Sequence, residues 1–248
     1  MKQQIHLPLA LAGAENVREL GGYRTMDGKT IRTHRLLRGT AQDSFTDEDR
    51  AFLYDYGVRC IIDLRSNYEV KEKPSRMDGY KDVAYYNVPM LDEINSKTPE
   101  EMKKGMPSSM LEIYKGLILD EQAGFKRVLD IISDHPTGCI LFNCAAGKDR
   151  TGLTAMLLLS IAGVDEETIV NDYAASERFL PEFKKMKKAE MDAMGLPWSE
   201  SFFGTAPENM EQTLALIKQE FGTVHDYLLQ IGMEQAQIDK IRRSLWES

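Results

Sequence analysis

Short apolar runs alternate along the chain with longer amphipathic segments, and this pattern predicts an α/β fold. The runs at residues 58–64 and 139–142 are largely apolar, as expected of parallel strands that are buried on both faces. Further runs at residues 7–14, 33–39 and 83–89 predict three more strands. Together they predict a central, mostly parallel sheet flanked by helices.

Helix signals occupy the spaces between these runs. Residues 46–56 begin with Thr46 and three acidic residues and stop at Gly57, which is the usual order of a capped helix. Residues 151–162 are apolar, long enough for a helix, and followed by Gly163. A short loop must therefore join this second helix to the strand that precedes it.

Two longer stretches depart from the alternation. Residues 91–122 carry methionines and polar residues before an apolar helical pattern, which predicts a lid-like insertion or, alternatively, an ordinary pair of surface helices. Residues 164–248 predict a series of C-terminal helices. The whole chain, residues 1–248, is therefore expected to form a single domain.

Composition and charge narrow the class of protein. Of 248 residues, 42% are hydrophobic and 28% charged, which is ordinary for a globular protein. The net charge of −8 argues against general nucleic-acid binding. No apolar run approaches the ~20 residues of a membrane-spanning helix. Three cysteines do not suggest a disulfide framework, so the cytoplasm is the expected location. Secretion is the open alternative, with the apolar run at residues 7–14 as the core of a signal peptide.

The loop after residues 139–142 carries the candidate chemistry. Cys144 and Arg150 stand at its two ends with five residues between them, and the helix N-terminus that follows favours an anion. The same amides and guanidinium that bind a phosphate would stabilise Cys144 as a thiolate, ready to attack phosphorus. The residues expected to line the phosphate are Ala145, Ala146, Gly147 and Lys148.

Two other interpretations of this loop, a nucleotide-binding loop and a zinc site, are excluded because the required residue types are missing. A nucleotide-binding loop needs a glycine and a hydroxyl where Phe142 and Asp149 stand. A zinc site needs more cysteine or histidine at ligand spacing than the loop offers. We therefore predict no metal and no cofactor.

The run C-A-A-G-K-D-R-T-G at residues 144–152 resembles the signature loop of cysteine-dependent protein tyrosine phosphatases, in particular bacterial enzymes of dual or triple specificity. Similar stretches occur at residues 15–24, 63–66 and 172–176, so the likeness spans nearly the whole chain. It implies the fold of that family. It also implies that residues 15–24 pack against the loop and that residues 172–176 support the helix after it.

The resemblance implies a phosphomonoesterase. Cys144 would form a cysteinyl-phosphate, Arg150 would bind two phosphate oxygens, and Thr151 would donate its hydroxyl to the sulfur as the thiolate leaves. The Trp-Pro-Asp loop of the tyrosine-specific branch is missing from the sequence, so the proton donor must lie elsewhere. The candidates are, in order, Asp149, Asp63 and Asp92.

Residues at the end of the strand at 58–64 form a second candidate group. Asp63 and Arg65 follow a buried strand and match the family's Asp-Leu-Arg sequence. Ligands of parallel sheets bind at the carboxyl ends of the strands, so both side chains are candidates for binding the phosphate. An ion pair that braces the sheet edge is the open alternative.

Two positions raise questions of activity and regulation. Asn143 stands where the family usually has histidine, which predicts tuned activity or, as an alternative, a pseudophosphatase that binds phosphorylated ligands without turnover. Cys60 is either an inert buried thiol or a partner for a reversible disulfide with Cys144.

The expected substrates are phosphorylated proteins or phosphoinositides. The Asp-Arg-Thr ending of the loop also resembles the signature loops of several phosphoinositide phosphatases, and Lys148 adds positive charge. Together they favour substrates with more negative charge than one phosphotyrosine, which adds inositol lipids to phosphotyrosine, phosphoserine and phosphothreonine. Four lysines within residues 184–188 predict a solvated helix face or a peripheral contact with an anionic membrane. Arsenate reduction and sulfur transfer are lower-ranked alternatives for the same loop.

Overall fold

The strands of the computed structural model form one five-stranded sheet within its described residues, which are 6–92, 109–193, 195 and 198–246. The spatial order is β1-β2-β5-β3-β4, with β1 antiparallel at one edge and the other neighbours parallel. The predicted mostly parallel sheet is confirmed. The strands are β1 (Arg18–Glu19), β2 (Leu36–Gly39), β3 (Val58–Asp63), β4 (Ala84–Asn87) and β5 (Cys139–Asn143).

The register aligns the carboxyl ends of the central strands. Asn143 lies between Gly39 of β2 and Asp63 of β3, and Asp63 in turn faces Asn87 of β4. Cys144 follows Asn143 directly. The candidate nucleophile therefore lies directly after the central strand, at the end of the sheet where parallel sheets bind ligands.

Helices pack on both faces of this sheet. The segment after β5 is a helix at every position from Arg150 to Ala162 and ends at Gly163, whose φ of 90° is left-handed, as a C-terminal glycine allows. The helices are α1 (Asp47–Asp55), α2 (Asn67–Glu72), α3 (Met110–Asp120), α4 (Gln122–Asp134), α5 (Arg150–Ala162), α6 (Glu166–Ala174), α7 (Pro181–Ala193), α8 (Glu200–Phe203), α9 (Pro207–Phe221), α10 (Val224–Gln230) and α11 (Gln235–Leu245), with a 3₁₀ turn at Ala175–Phe179.

Two hydrophobic clusters form the core, one on each side of the sheet. In β5, Ile140 and Phe142 point into the larger cluster, and Cys139 and Leu141 point into the smaller one, as the two-residue repeat of a strand requires. The larger cluster also contains most of the apolar side chains of α5. Because α5 is buried almost all round, the loop at its N-terminus has a rigid support.

The main departure from the predicted elements lies at the N-terminus. The strand expected at residues 7–14 is reduced to a single bridge between Pro8 and Arg18, in which the N–H of Leu9 donates to the Val17 carbonyl at 2.9 Å and the N–H of Glu19 donates to the Leu7 carbonyl at 3.0 Å. The pairing ends because the partner backbone turns at Asn16, whose φ is 57°. The predicted helices at the C-terminus are present as α9, α10 and α11. Residues 93–108 of the expected lid-like insertion lie outside the described residues, while α3 follows at Met110 as its apolar spacing indicates.

Candidate active site

The signature loop connects β5 to α5, and groups outside the loop donate hydrogen bonds to its backbone carbonyls. The N–H of Ala41 donates to the carbonyl of Ala145 at 3.2 Å. Asn16 Nδ2 donates to the carbonyls of Ala146 and Gly147 at 3.0 and 3.1 Å. A trans peptide points its N–H away from its own C=O, so these contacts turn the following amides towards the inside of the loop. An interior lined by inward N–H groups favours an oxyanion.

Gly147 allows the loop to approach the end of β2 closely. Its φ is 67°, and a Cβ at this position would lie 2.4 Å from both the carbonyl carbon and the oxygen of Gly39. Only glycine accommodates both the left-handed backbone and this contact. Arg38 Nη2 fixes the same peptide by donating to the Gly147 carbonyl at 2.8 Å.

Buried charges behind the loop hold these supporting side chains in place. Asp172 of α6 accepts a hydrogen bond from Arg38 Nη1, and its Oδ1 lies 3.4 Å from Arg18 Nε. Arg18 in turn donates from Nη1 to Asn16 and from Nη2 to the Asp172 carbonyl at 2.8 Å. Burial alone would raise the pKa of Asp172, but the charges of Arg38 and Arg18 hold it below its ordinary value. The two supporting roles expected for residues 15–24 and 172–176 are confirmed, since Tyr173 also packs against Gly152 of α5.

Arg150 is the first residue of α5 and is bound by Glu69. Its Nη1 and Nη2 donate to Glu69 Oε2 and Oε1 at 2.6 and 2.9 Å, the paired geometry favoured by guanidinium and carboxylate. Burial alone would lower the pKa of Arg150, but the hydrogen bonds with Glu69 and the nearby charges of Cys144, Glu69 and Asp149 raise it. The guanidinium is therefore charged at any working pH, and its plane is fixed.

Glu69 is the main residue that sequence reasoning missed. It is the third residue of α2 and accepts a hydrogen bond from the N–H of Ser66 at 2.9 Å, in a capping box. The Ser-x-x-Glu spacing of such a box is readable from the sequence. Nothing in that spacing reveals a partner 81 residues away.

Asp149 and Lys148 occupy the turn that leads into α5. Tyr114 donates to Asp149 Oδ1 at 2.6 Å, and Lys148 Nζ lies 3.3 Å from the same oxygen. Lys148 is buried, and its ammonium also donates to the carbonyls of Phe202 and Gly204 at 2.7 and 3.1 Å. The lysine charge is thus shared between the loop and the segment around α8.

Two side chains beside the cysteine keep polar atoms unpaired. Cys144 is buried, as are the flanking Asn143 and Thr151. Within the described part of the chain, the hydroxyl of Thr151 makes no hydrogen bond and Asn143 Oδ1 accepts none. Asn143 is anchored by its other amide atom, since Nδ2 donates to Asp63 Oδ1 at 3.0 Å.

Asp63 and Arg65 form a closed cluster beneath the loop. Arg65 Nη2 donates to Asp63 Oδ2 at 2.7 Å, and the hydroxyl of Tyr85 donates to the same oxygen at 2.8 Å. Both members of the ion pair are buried. These contacts match the open alternative of an ion pair that braces the sheet edge, because the carboxylate already has donors from three residues, including Asn143.

Asp92 is bound to Asn67, and Cys60 lies within the sheet. Asp92 accepts hydrogen bonds from the backbone N–H and the side-chain amide of Asn67, at 2.7 and 2.8 Å. Cys60 pairs with Ile140 in the sheet, four residues before Cys144, which corresponds to about 13 Å along a strand. A disulfide needs Cα atoms within ~7 Å, so the alternative of a Cys60–Cys144 disulfide is wrong. Burial raises the pKa of Cys60 to about 12, as expected of an inert buried thiol.

The chain is similar in sequence to known proteins over most of its length. The sequence profile described as "Tyrosine phosphatase family" matches residues 9–247. A tyrosine-protein phosphatase of Nostoc commune is 30% identical over 213 residues, covering 82% of this chain and 71% of the relative. The triple specificity protein phosphatase PtpB of Mycobacterium tuberculosis is 26% identical over 272 residues, covering 94% and 96%. A crystal structure of TpbA from P. aeruginosa superimposes with a TM-score of 0.40 and 13% identity, covering 75% of this chain and 90% of that one.

The family match extends over the same residues that build the site. It includes the supporting residues near Arg18, the loop from Cys144 to Arg150 and the helices that follow. The resemblance read from the sequence is therefore confirmed. The chain belongs to the tyrosine phosphatase family and is a phosphatase.

Proposed function

We propose that the protein hydrolyses phosphate monoesters through a cysteinyl-phosphate intermediate on Cys144. The observation that carries the proposal is the loop itself, with its carbonyls bound from outside, Cys144 at one end and the Glu69-bound Arg150 at the other. Inward amides and a fixed guanidinium stabilise the charge that develops on the phosphoryl oxygens in the transition state.

The first step transfers the phosphoryl group to sulfur. The thiolate of Cys144 attacks phosphorus, an S–P bond forms, and the P–O bond to the leaving group breaks. Asp149 gives its proton to the departing oxygen. Asp149 is the better donor of the three candidates because Asp63 is buried in its ion pair with Arg65 and both carboxylate oxygens of Asp92 accept hydrogen bonds from Asn67. Within the described residues, Oδ2 of Asp149 has neither a hydrogen bond nor an ion pair.

The second step returns the enzyme to its starting state. Asp149, now a carboxylate, takes a proton from water as the water oxygen attacks phosphorus, and the S–P bond breaks to release phosphate. The buried hydroxyl of Thr151 is unpaired within the described residues. We assign it the task of hydrogen bonding to the thiolate as the sulfur leaves.

The substrate range we propose is phosphotyrosine, with phosphoserine, phosphothreonine and phosphoinositides as further candidates. A relative named as a triple specificity phosphatase, similar over 94% of this chain, supports the broad range. Ala145, Ala146, Gly147 and Lys148 would bind the phosphate through their backbone. Asp63 and Arg65 would position Asn143, and through it Cys144, rather than contact the substrate.

A peripheral membrane contact has less support. Of the described helices, none is both long and apolar enough to cross a membrane. The lysine cluster of α7 is mostly neutralised by nearby glutamates, which favours a solvated helix face. Within the described residues the pairs are Lys184 with Glu177 and Glu200, Lys185 with Glu182, and Lys187 with Glu190.

The test is phosphate release from a matched panel of substrates. The panel contains a phosphotyrosine peptide, a phosphoserine peptide, monophosphorylated phosphoinositides and inositol hexakisphosphate. We expect release that is abolished in Cys144→Ser and kept in Cys60→Ala, a control that removes a buried thiol far from the loop. Intact-mass measurement after a rapid quench should detect protein heavier by one phosphoryl group. Binding without release in the parent protein would instead identify a pseudophosphatase, for which Asn143 would be the cause.

A further inference from the structure

Tyr114 brings a buried hydroxyl to the proposed proton donor from a distant part of the chain. It lies on α3, is fully buried, and donates to Asp149 Oδ1 at 2.6 Å across 35 residues of sequence. A buried tyrosine hydroxyl requires a partner. Here that partner is the carboxylate at the mouth of the phosphate loop.

Within the described residues, the hydrogen bond and the ion pair of the Asp149 side chain both involve the same carboxylate oxygen. Tyr114 donates to Oδ1, and the ammonium of Lys148 lies 3.3 Å from Oδ1. Within the described residues Oδ2 has neither a hydrogen bond nor an ion pair. The rotation of the carboxyl group is therefore set, with Oδ2 as the oxygen able to carry and release a proton.

A second tyrosine extends this contact into the core. The hydroxyl of Tyr173 on α6 lies 2.7 Å from that of Tyr114, and the two rings meet edge to face at 6.1 Å. Since an ionised Asp149 can only accept, Tyr114 donates to it and Tyr173 donates to Tyr114. Burial raises the pKa of both tyrosines well above the ordinary value, so both remain donors at working pH.

We propose that Tyr114, supported by Tyr173, is a positioning residue that orients Asp149 so that Oδ2 delivers the proton to the leaving group. The proposal rests on the proposed function, in which Asp149 is the acid. Tyr114 does not itself touch the substrate. It acts by holding one oxygen of the carboxyl group while the other reacts, which is the preorganisation that proton transfer requires.

Other charges also act on Asp149 and must be separated from the effect of Tyr114. Lys148 lies beside it, and Cys144 and Arg150 share its electrostatic environment. The charge of Arg38 on β2 opposes the rise in the pKa of Tyr173. A change confined to the Tyr114 hydroxyl leaves all four of these charges in place.

Tyr114→Phe provides that change, with Tyr227→Phe as its matched control. Tyr227 is also buried, and its hydroxyl donates to the carbonyl of Ile118 on the same helix α3 at 3.1 Å. Each variant removes one buried hydroxyl: that of Tyr114 belongs to α3, and that of Tyr227 donates to α3. Only Tyr114→Phe removes a donor to Asp149.

We expect kcat/KM of Tyr114→Phe to fall about tenfold with a phosphotyrosine peptide, whose phenoxide needs a proton. With 4-nitrophenyl phosphate, whose leaving group needs little protonation, the loss should stay below about twofold. The basic limb of the pH profile should move to higher pH, because the ionised acid has lost a donor. Tyr227→Phe should show none of these changes.

Three further variants separate the possible failures. Cys144→Ser that still releases phosphate would overturn the proposed function itself. With Cys144→Ser inactive, equal losses of Tyr114→Phe on both substrates, or an unmoved pH profile, would refute the positioning role. In an Asp149→Asn background, Tyr114→Phe should cost no further activity, since no proton remains to be oriented. Tyr173→Phe tests the same series of hydrogen bonds from its buried end. We expect a smaller loss of kcat/KM than in Tyr114→Phe, again larger with the phosphotyrosine peptide than with 4-nitrophenyl phosphate. An equal loss on both substrates would contradict the role of Tyr173.

Discussion

Asp172→Asn tests whether buried charge behind the loop controls both stability and activity. The substitution keeps the size of the side chain and removes one negative charge from between Arg18 and Arg38. Both guanidiniums are fully buried, with no exposed side-chain surface. Within the part of the chain that the structure describes, no other carboxylate forms an ion pair with either of them. Two unpaired buried charges are costly in a medium that solvates ions poorly.

The expected loss of unfolding free energy follows from this arrangement. Breaking a buried ion pair by removing one partner costs ~3–5 kcal/mol, and asparagine can still accept one hydrogen bond, so we expect about 3 kcal/mol. In a chain of 248 residues each kcal/mol lowers Tm by ~2–4 °C, giving a decrease of ~6–12 °C. Activity should fall as well, because Arg38 would no longer be held against the Gly147 carbonyl.

The assay is urea unfolding and phosphate release, compared with Asp165→Asn. Asp165 caps the same helix and accepts a hydrogen bond from the N–H of Thr168 at 2.9 Å. Asparagine caps a helix about as well as aspartate, so this equal loss of charge should cost only a few tenths of a kcal/mol (~0.3). A loss below about 1 kcal/mol in Asp172→Asn would refute the reasoning.

The difference in unfolding free energy between the parent protein and Asp172→Asn should depend on pH, which provides a second check. The folded-state pKa of Asp172 is held below its ordinary value by Arg38 and Arg18, against the effect of burial. Its contribution is therefore complete above the unfolded-state pKa of ~3.9 and is lost as the pH falls through the lower folded value. The free energies of unfolding of the parent and Asp172→Asn should differ at neutral pH and converge in strong acid.

Two further predictions concern the loop itself. Glu69→Gln keeps the capping box but removes the charge that fixes Arg150, so kcat/KM should fall by about tenfold, and an unchanged rate would show that Arg150 needs no such partner. Gly147→Ala should lower both unfolding free energy, by at least about 1 kcal/mol, and activity, because the new Cβ meets Gly39 and the backbone is left-handed. Gly28→Ala is the control, since Gly28 has a positive φ but open space around it, and equal losses in both variants would remove the steric argument.

Local sequence was enough to predict the centre of this protein. The strand, the phosphate loop and helix α5 follow one another within residues 139–163, so their relation depends on short-range rules of burial, capping and helix termination. The same rules predicted α1, with Thr46 as its cap. They overstated the strand at residues 7–14, which is a single bridge because the partner backbone turns at Asn16.

The partners of the loop residues were decided by the tertiary structure alone. Glu69 meets Arg150 across 81 residues, and Tyr114 meets Asp149 across 35. The sheet register also separates Cys60 from Cys144 and places Asp63 against Asn143. Side-chain pairing of this kind depends on where buried helices and strands cross, which no local pattern records. The sequence therefore determined the candidate nucleophile and its loop, and the fold determined which side chains contact the arginine and the proposed acid.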